Sequence, residues 1–169
     1  DEEEARKATH AAAQWNGPVY LRVSREKSPQ ITDRRNRFAI GTVNVLDEGD
    51  DVTIAACGMG VQFALAASHL LAQKGISATV LNVHTLKPLD EKTIVKSLHH
   101  TGALVSVEEH QIHGGLGGAL SELAGKRYPV PIEMVGVEDC FGESGDGYAL
   151  LSRYGISTDA IVKKVEQVI

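Results

Sequence analysis

The 169-residue chain has few of the features that would place it outside ordinary globular proteins. Its two cysteines, Cys57 and Cys140, are too few and too unpatterned for a disulfide framework or a zinc site, which fits a reducing cytoplasm. No apolar run approaches 18 residues and no signal-peptide pattern is visible, so neither membrane insertion nor secretion is expected. Positive charge is scarce: 17 Lys and Arg stand against 22 Asp and Glu, a formal net charge of −5. A nucleic-acid surface needs a basic footprint from which counterions are released, and no basic stripe is present. Disorder is not indicated either, because 43% of the residues are hydrophobic and 23% charged. A chain of this length buries one good core with a small attached piece. It opens "DEEEARKATHAAAQW", without Met and directly into a helix, and so reads as a piece of something longer.

The opening acids suit the positive end of a helix, and Ala5, Ala8, Ala11 and Ala12 carry it to Trp15, where "NGP" stops it. "VYLRV" (19–23) reads as a strand, followed by a polar, Pro-broken linker. From Phe38 the pattern changes to an extended "FAIGTVNVL", a turn, and "VTIAACG" as a buried strand. Helix and strand then alternate. Val61, Ala64, Leu65, Ser68 and Ala72 share one helical face, and "ISATVLNVH" follows as a strand. Next come a helix in "LDEKTIVKSL", a strand in "ALVSVEEH", a helix from the glycine-rich "HGGLGG", and a strand in "VPIEMVGVED". Two further helices end the chain, the last N-capped at Ser157 or Thr158 with Ile161, Val165 and Val168 inward. Strands separated by helices of 10 to 15 residues imply a mainly parallel open sheet with helices on both faces, a three-layer α/β/α fold.

Several stretches could carry chemistry. "HGGLGG" suggests a phosphate loop at a helix N-terminus, but a G-x-G-x-x-G pattern counted from Gly115 meets Leu120 in its last place, and no P-loop Lys-Ser/Thr pair follows. The alternative is a corner where glycine lets a helix approach the sheet closely. His110 and His113 have metal-ligand character without a third ligand at a familiar spacing. His99 and His100 close a helix, where imidazole favours the dipole. "CGMG" (57–60) occupies the strand-to-helix turn where open α/β sheets bind ligands, although two glycines there can simply make the turn. "DCFGESGDG" (139–147) is an acidic loop able to hold a cation, contact a partner, or be plainly solvated. Arg25, in "SREKSP", is either a fork for a phosphate or carboxylate or a solvated linker arginine like Arg34, Arg35 and Arg37.

"GPVYLRVSREKSP" resembles the end of the pyrimidine-binding domain of transketolases. The stretch from Phe38 to Asp90, with its "T-x-K-P-L-D", is similar to the start of their C-terminal domain. "VEEHQIHGGLGGALSE" and "FGESGDGYALLSRYGISTDAIVKKV" follow in the order and spacing of that domain. The resemblance covers essentially the whole chain and is specific in the combination of its motifs. It implies residues 1–34 as the C-terminal remnant of a pyrimidine-binding domain with its linker, and 35–169 as a transketolase C-terminal domain. It further implies an enzyme, either split or single-chain, that transfers a two-carbon ketol unit between sugar phosphates in the pentose phosphate pathway. That enzyme uses thiamine diphosphate and a divalent metal, magnesium, bound in missing N-terminal domains or in a separate subunit. The glutamate that activates the cofactor belongs upstream of Asp1. The fragment itself is expected to supply no catalytic, cofactor-binding or metal-binding residue and to be inactive alone, within a cytoplasmic homo-oligomer, a dimer, that contacts no nucleic acid or membrane. In "S-R-x-x-x-P", here Ser24, Arg25 and Pro29, the family's arginine contacts the substrate phosphate, which assigns that role to Arg25. "HGGLGG" becomes a structural corner and its histidines framework residues. Related readings are a deoxyxylulose phosphate synthase, a 2-oxo acid dehydrogenase β subunit, and a non-catalytic assembly module.

Overall fold

The computed structural model describes all residues from Asp1 to Ile169. Five strands form one sheet: β1 (Asn44–Asp47), β2 (Val52–Ala56), β3 (Ala78–Asn82), β4 (Leu104–Gln111) and β5 (Ile132–Val137). Their order is β1-β3-β2-β4-β5, with β2, β3, β4 and β5 parallel to their neighbours and β1 antiparallel on the β3 edge. The expected mainly parallel sheet is therefore present. β2 and β3 are buried at every position, as strands covered on both faces must be.

Six helices accompany the sheet: α1 (Glu2–Gln14), α2 (Gly60–Gln73), α3 (Glu91–Thr101), α4 (Leu116–Arg127), α5 (Gly147–Arg153) and α6 (Thr158–Val168). α2 and α6 cover one face, where Val52, Ile54, Ala56, Val80, Val105 and Val107 meet Val61, Ala64, Leu71, Ile161 and Val165. α3 and α4 cover the other, where Ala55, Leu81 and Leu104 meet Ile94, Leu98, Leu116 and Leu120. The alternation of faces along each strand follows from the period of two. Leu71, and not the exposed Ala72, completes the buried stripe of α2. Local signals start and stop these helices as expected. Asp90 caps α3 by accepting from Thr93 N at 3.1 Å, Gly102 ends it in the left-handed region, and Ser157 caps α6.

"VYLRV" departs from expectation. Residues 19–23 are extended but belong to no strand, and Val19, Tyr20, Leu21 and Val23 are exposed. Their composition favours a strand, yet no strand of this chain pairs with them. The segment from Trp15 to Val43 instead runs irregularly over the domain and is fastened at a few places. Asp1 accepts from Ile31 N at 2.7 Å, from Thr32 Oγ1 at 2.8 Å, and from Thr32 N. Lys7 Nζ donates to Asn36 O at 2.7 Å, and Asn82 Nδ2 donates to Glu4 Oε1 at 2.7 Å, which ties α1 to the end of β3.

Candidate functional site

The connection from β2 runs through α2 toward β3 on one face, whereas the connection from β4 runs through α4 toward β5 on the other. The carboxyl ends of β2 and β4 therefore flank a topological switch point, the crevice where open α/β sheets bind ligands. Gly58 lies at the end of β2, in the left-handed region at φ +55, with Glu109 Oε1 only 3.1 Å from where its Cβ would be. Such a turn suits glycine because a side chain there would be both strained and crowded.

Two adjacent glutamates close β4 and point to opposite faces. Glu108 shares the parity of Leu104 and Ser106 and faces α4, while Glu109 shares that of Val105 and Val107. Glu108 is fully buried. Its carboxylate accepts from Leu116 N at 2.7 Å and Gly117 N at 2.8 Å, the first free amides of α4. α4 has no side-chain cap of its own, since Gly115 occupies the N-cap position. Glu108 thus serves as the anion that a helix N-terminus attracts. The phosphate-loop reading of "HGGLGG" fails for this reason: the place a phosphate would take is filled from within the chain. The glycines are needed for close approach. A Cβ on Gly115 would overlap Glu108 Oε2, and one on Gly117 would lie 2.7 Å from Met134 Sδ and 2.8 Å from Ser106 Oγ. Gly117→Val is expected to lower stability by about 1–3 kcal/mol. Chemical denaturation of the two proteins measures it, and equal midpoints would contradict the packing argument.

The histidines of this corner do not act together. His110 is half-buried, with Nδ1 3.7 Å from Glu108 Oε2 and no hydrogen-bond partner, whereas His113 is exposed and so is not the framework residue expected. Burial and then the Arg22 charge hold His110 below the usual imidazole range. His99 and His100 have more specific contacts than a helix dipole: His99 stacks on Tyr128 at 3.8 Å between ring centres, and His100 Nε2 lies 2.7 Å from Asp50 Oδ1. Cys57 is buried, and burial, with Glu108 and Glu109 nearby, pushes its thiol up to about 12. It is no nucleophile at neutral pH.

His84, just past β3, is the most perturbed imidazole. It packs on Phe38 at 4.4 Å, its Nδ1 lies 2.9 Å from Thr85 Oγ1, and its Nε2 is buried without a partner. Burial pulls its pKa from 6.5 down to about 4. The unfolded chain therefore takes up a proton that the folded chain refuses. The stabilisation is complete above about pH 6.5 and is lost as pH falls through about 4, an effect of no more than about 3 kcal/mol. His84→Leu should flatten that part of the stability-against-pH curve, and an unchanged slope would remove His84 as its source.

Across the switch-point crevice runs the chain's own amino-terminal segment. Arg22 Nη1 lies 3.3 Å from Glu109 Oε1, and Ser28, Ile31 and Thr32 line a small cavity with Gly58, Met59, Gln62 and Asn82. Arg25 stands between these fastenings, exposed. It is not at a strand end as its motif implied, but in a turn where Ser24 Oγ accepts from Glu26 N at 3.2 Å. The acidic loop 139–147 is braced rather than open: Gln111 accepts from Asp139 N at 2.9 Å and donates to Cys140 O at 3.1 Å. Tyr154 donates to Phe141 O at 3.1 Å, Glu143 pairs with Arg153 at 2.9 Å, and Asp146 caps α5. Two of its three acids, Glu143 and Asp146, are used internally, and Phe141 is 98% exposed. The contacts of Glu108 and Arg22 have no direct signature in the sequence; the one available signal is a helix start lacking Ser, Thr, Asp or Asn.

Comparison with known proteins matches residues 41–161 to the transketolase C-terminal domain. A 6-deoxy-6-sulfo-D-fructose transketolase subunit from Clostridium sp. is 44% identical over 153 residues, covering 90% of this chain and 48% of that protein. A putative transketolase C-terminal section from Methanocaldococcus jannaschii is 38% identical over 156 residues, covering 90% of this chain and 48% of that one. A 1-deoxy-D-xylulose-5-phosphate synthase from Desulforudis audaxviator is 36% identical over 170 residues, 98% of this chain and 27% of the synthase. Among solved structures, a split-gene transketolase described as an inactive β4 tetramer superposes with a TM-score of 0.93 at 42% identity, covering 96% of this chain and 54% of its own. The chain spans about half the length of the first of these relatives.

Proposed function

The chain belongs to the transketolase family through its C-terminal domain, and from that membership we propose that it is the C-terminal portion of a thiamine diphosphate-dependent transketolase acting on sugar phosphates. In this reading residues 1–34 close a pyrimidine-binding domain and 35–169 form the C-terminal domain. The portion serves assembly and substrate-phosphate binding, in the cytoplasm, within a homo-oligomer that includes the domains or subunit carrying the cofactor site.

The unpaired segment beside Arg25 is the observation that supports the reading most. Tyr20 is 89% and Val23 61% exposed, next to the exposed Trp15. Apolar side chains on an extended, unpaired backbone are what the last strand of an absent sheet looks like.

The glycine-rich start of α4 does not fit the cofactor. The amides of α4 that could cradle a diphosphate are taken by Glu108, and no three His, Cys, Asp or Glu side chains come together to hold a metal ion. The cofactor, which supplies the carbanion chemistry of ketol transfer, accordingly belongs with the remainder of the enzyme. Arg25 contributes a permanently charged fork that binds a phosphate dianion by paired N–H donors and moves no proton.

The test is reconstitution. Titration of the chain alone with thiamine diphosphate and magnesium should give no calorimetric signal. Adding the polypeptide that carries the remaining domains should give ketol transfer to a sugar-phosphate acceptor. A micromolar isotherm from the chain alone would overturn the division of labour. The synthase relative supports one alternative: decarboxylation of pyruvate in place of ketol transfer would move the assignment to a deoxyxylulose phosphate synthase or a 2-oxo acid dehydrogenase β subunit.

A further inference from the structure

The turn that carries Arg25 is not a free loop. On its amino-terminal side Arg22 is paired with Glu109 across the switch point. On its carboxyl-terminal side Tyr148, in the first turn of α5, holds it. Tyr148 Oη donates to Lys27 O at 2.7 Å, and Gly147 lies so close to Glu26 that an added Cβ would be 2.5 Å from Glu26 Cγ and 2.8 Å from Glu26 Oε1. Gln62 of α2 adds a long contact to the Tyr148 hydroxyl at 3.5 Å. The Ser24 hydroxyl then closes the turn from within. α5 is in turn held to the domain: Leu151 packs against the α2/α6 core, and Ile156 after the helix is buried in it.

We propose that Tyr148 is a positioning residue for Arg25, through which the C-terminal domain sets where the phosphate of a sugar substrate is bound. The inference rests on the reading of Arg25 as the phosphate-recognising residue. Its physical basis is preorganisation. An arginine on an exposed extended segment must otherwise lose backbone and side-chain freedom each time substrate binds, and that cost appears as weaker binding. A backbone carbonyl fixed by a tyrosine two residues away removes part of it beforehand. A Cβ at 147 would meet only the side chain of the exposed Glu26, which can turn away, so the hydroxyl of Tyr148 and not the glycine is what fixes the turn.

The experiment uses the complete enzyme, with Tyr148→Phe, Arg25→Ala and the double variant, assayed on phosphorylated and plain substrates. Tyr148→Phe keeps the ring and removes only the donor. It should raise KM for phosphorylated substrates roughly 3- to 10-fold, the equilibrium factor of one ordinary hydrogen bond, with kcat little changed and plain substrates unaffected. In the Arg25→Ala background the same substitution should add nothing. A Tyr148→Phe enzyme identical to the parent, or one impaired equally on plain substrates, would overturn the positioning role while leaving that of Arg25 intact. An Arg25→Ala enzyme with no phosphate-dependent loss would overturn both.

Discussion

Glu108→Ala should lower the stability of the chain by about 3–5 kcal/mol, roughly a fifth or more of what a domain ordinarily has. The carboxylate is fully buried and accepts from two amides at the start of α4 at 2.7 and 2.8 Å. Hydrogen bonds to a charged acceptor are each worth about 1.5–3 kcal/mol, and their loss leaves two buried donors facing a cavity. Glu108→Gln keeps the shape but offers one acceptor oxygen where two are used, so about half of the loss should remain. The neighbouring Glu109 is the control. Its pair with the half-exposed Arg22 is long, at 3.3 Å, and screened, so Glu109→Ala should cost no more than about 1 kcal/mol. Denaturant unfolding of the three variants measures the difference. Because the Ala variant opens an anion-sized space at a helix N-terminus, formate should recover part of its stability and none of the parent's. A Glu108→Ala midpoint within error of the parent would mean that water replaces the carboxylate at no cost, and the internal-anion account would fail.

The same pair shows why some of the site was not legible in sequence. Alternation identifies the buried face of a strand when one face is polar. "ALVSV" is buried on both, so nothing in it says which of the two following glutamates turns toward α4. Only the register with β2 and β5 decides, and register belongs to the sheet. α3 and α6 were easier because they carry their own punctuation: Asp90, Gly102 and Ser157 act where their chemistry says they should. "VYLRV" misled for the opposite reason. Strand propensity describes a fit to a pleated neighbour, and these residues have none within the chain. Tyr148 was illegible because its partner is a backbone carbonyl 121 residues earlier, and a carbonyl has no signature in sequence.

Arg25→Ala, in the complete enzyme, is expected to lower kcat/KM for phosphorylated substrates by roughly 10-fold to 10⁴-fold, since losing one or two charge-assisted hydrogen bonds removes about 1.5–3 kcal/mol each. The guanidinium is exposed and makes no ion pair within the chain, so no internal bond has to break before it meets a dianion. By contrast Arg6, Arg35, Arg127 and Arg153 are each engaged with a carboxylate. The same exposure means that stability should barely change on substitution, which separates binding from folding at the outset. Arg25→Lys should recover only part of the activity, because an ammonium retains the charge without the planar fork that contacts two phosphate oxygens at once. Hydroxypyruvate paired with a non-phosphorylated acceptor is the internal control, and should react almost as well in Arg25→Ala as in the parent. If phosphorylated and plain substrates instead suffer equally, the arginine acts in the chemical step or in assembly, and the phosphate role is lost. If only phosphorylated substrates suffer, the residue reads the substrate from a turn that the C-terminal domain holds in place. That would give this domain a part in substrate selection although the proposed cofactor site lies outside it.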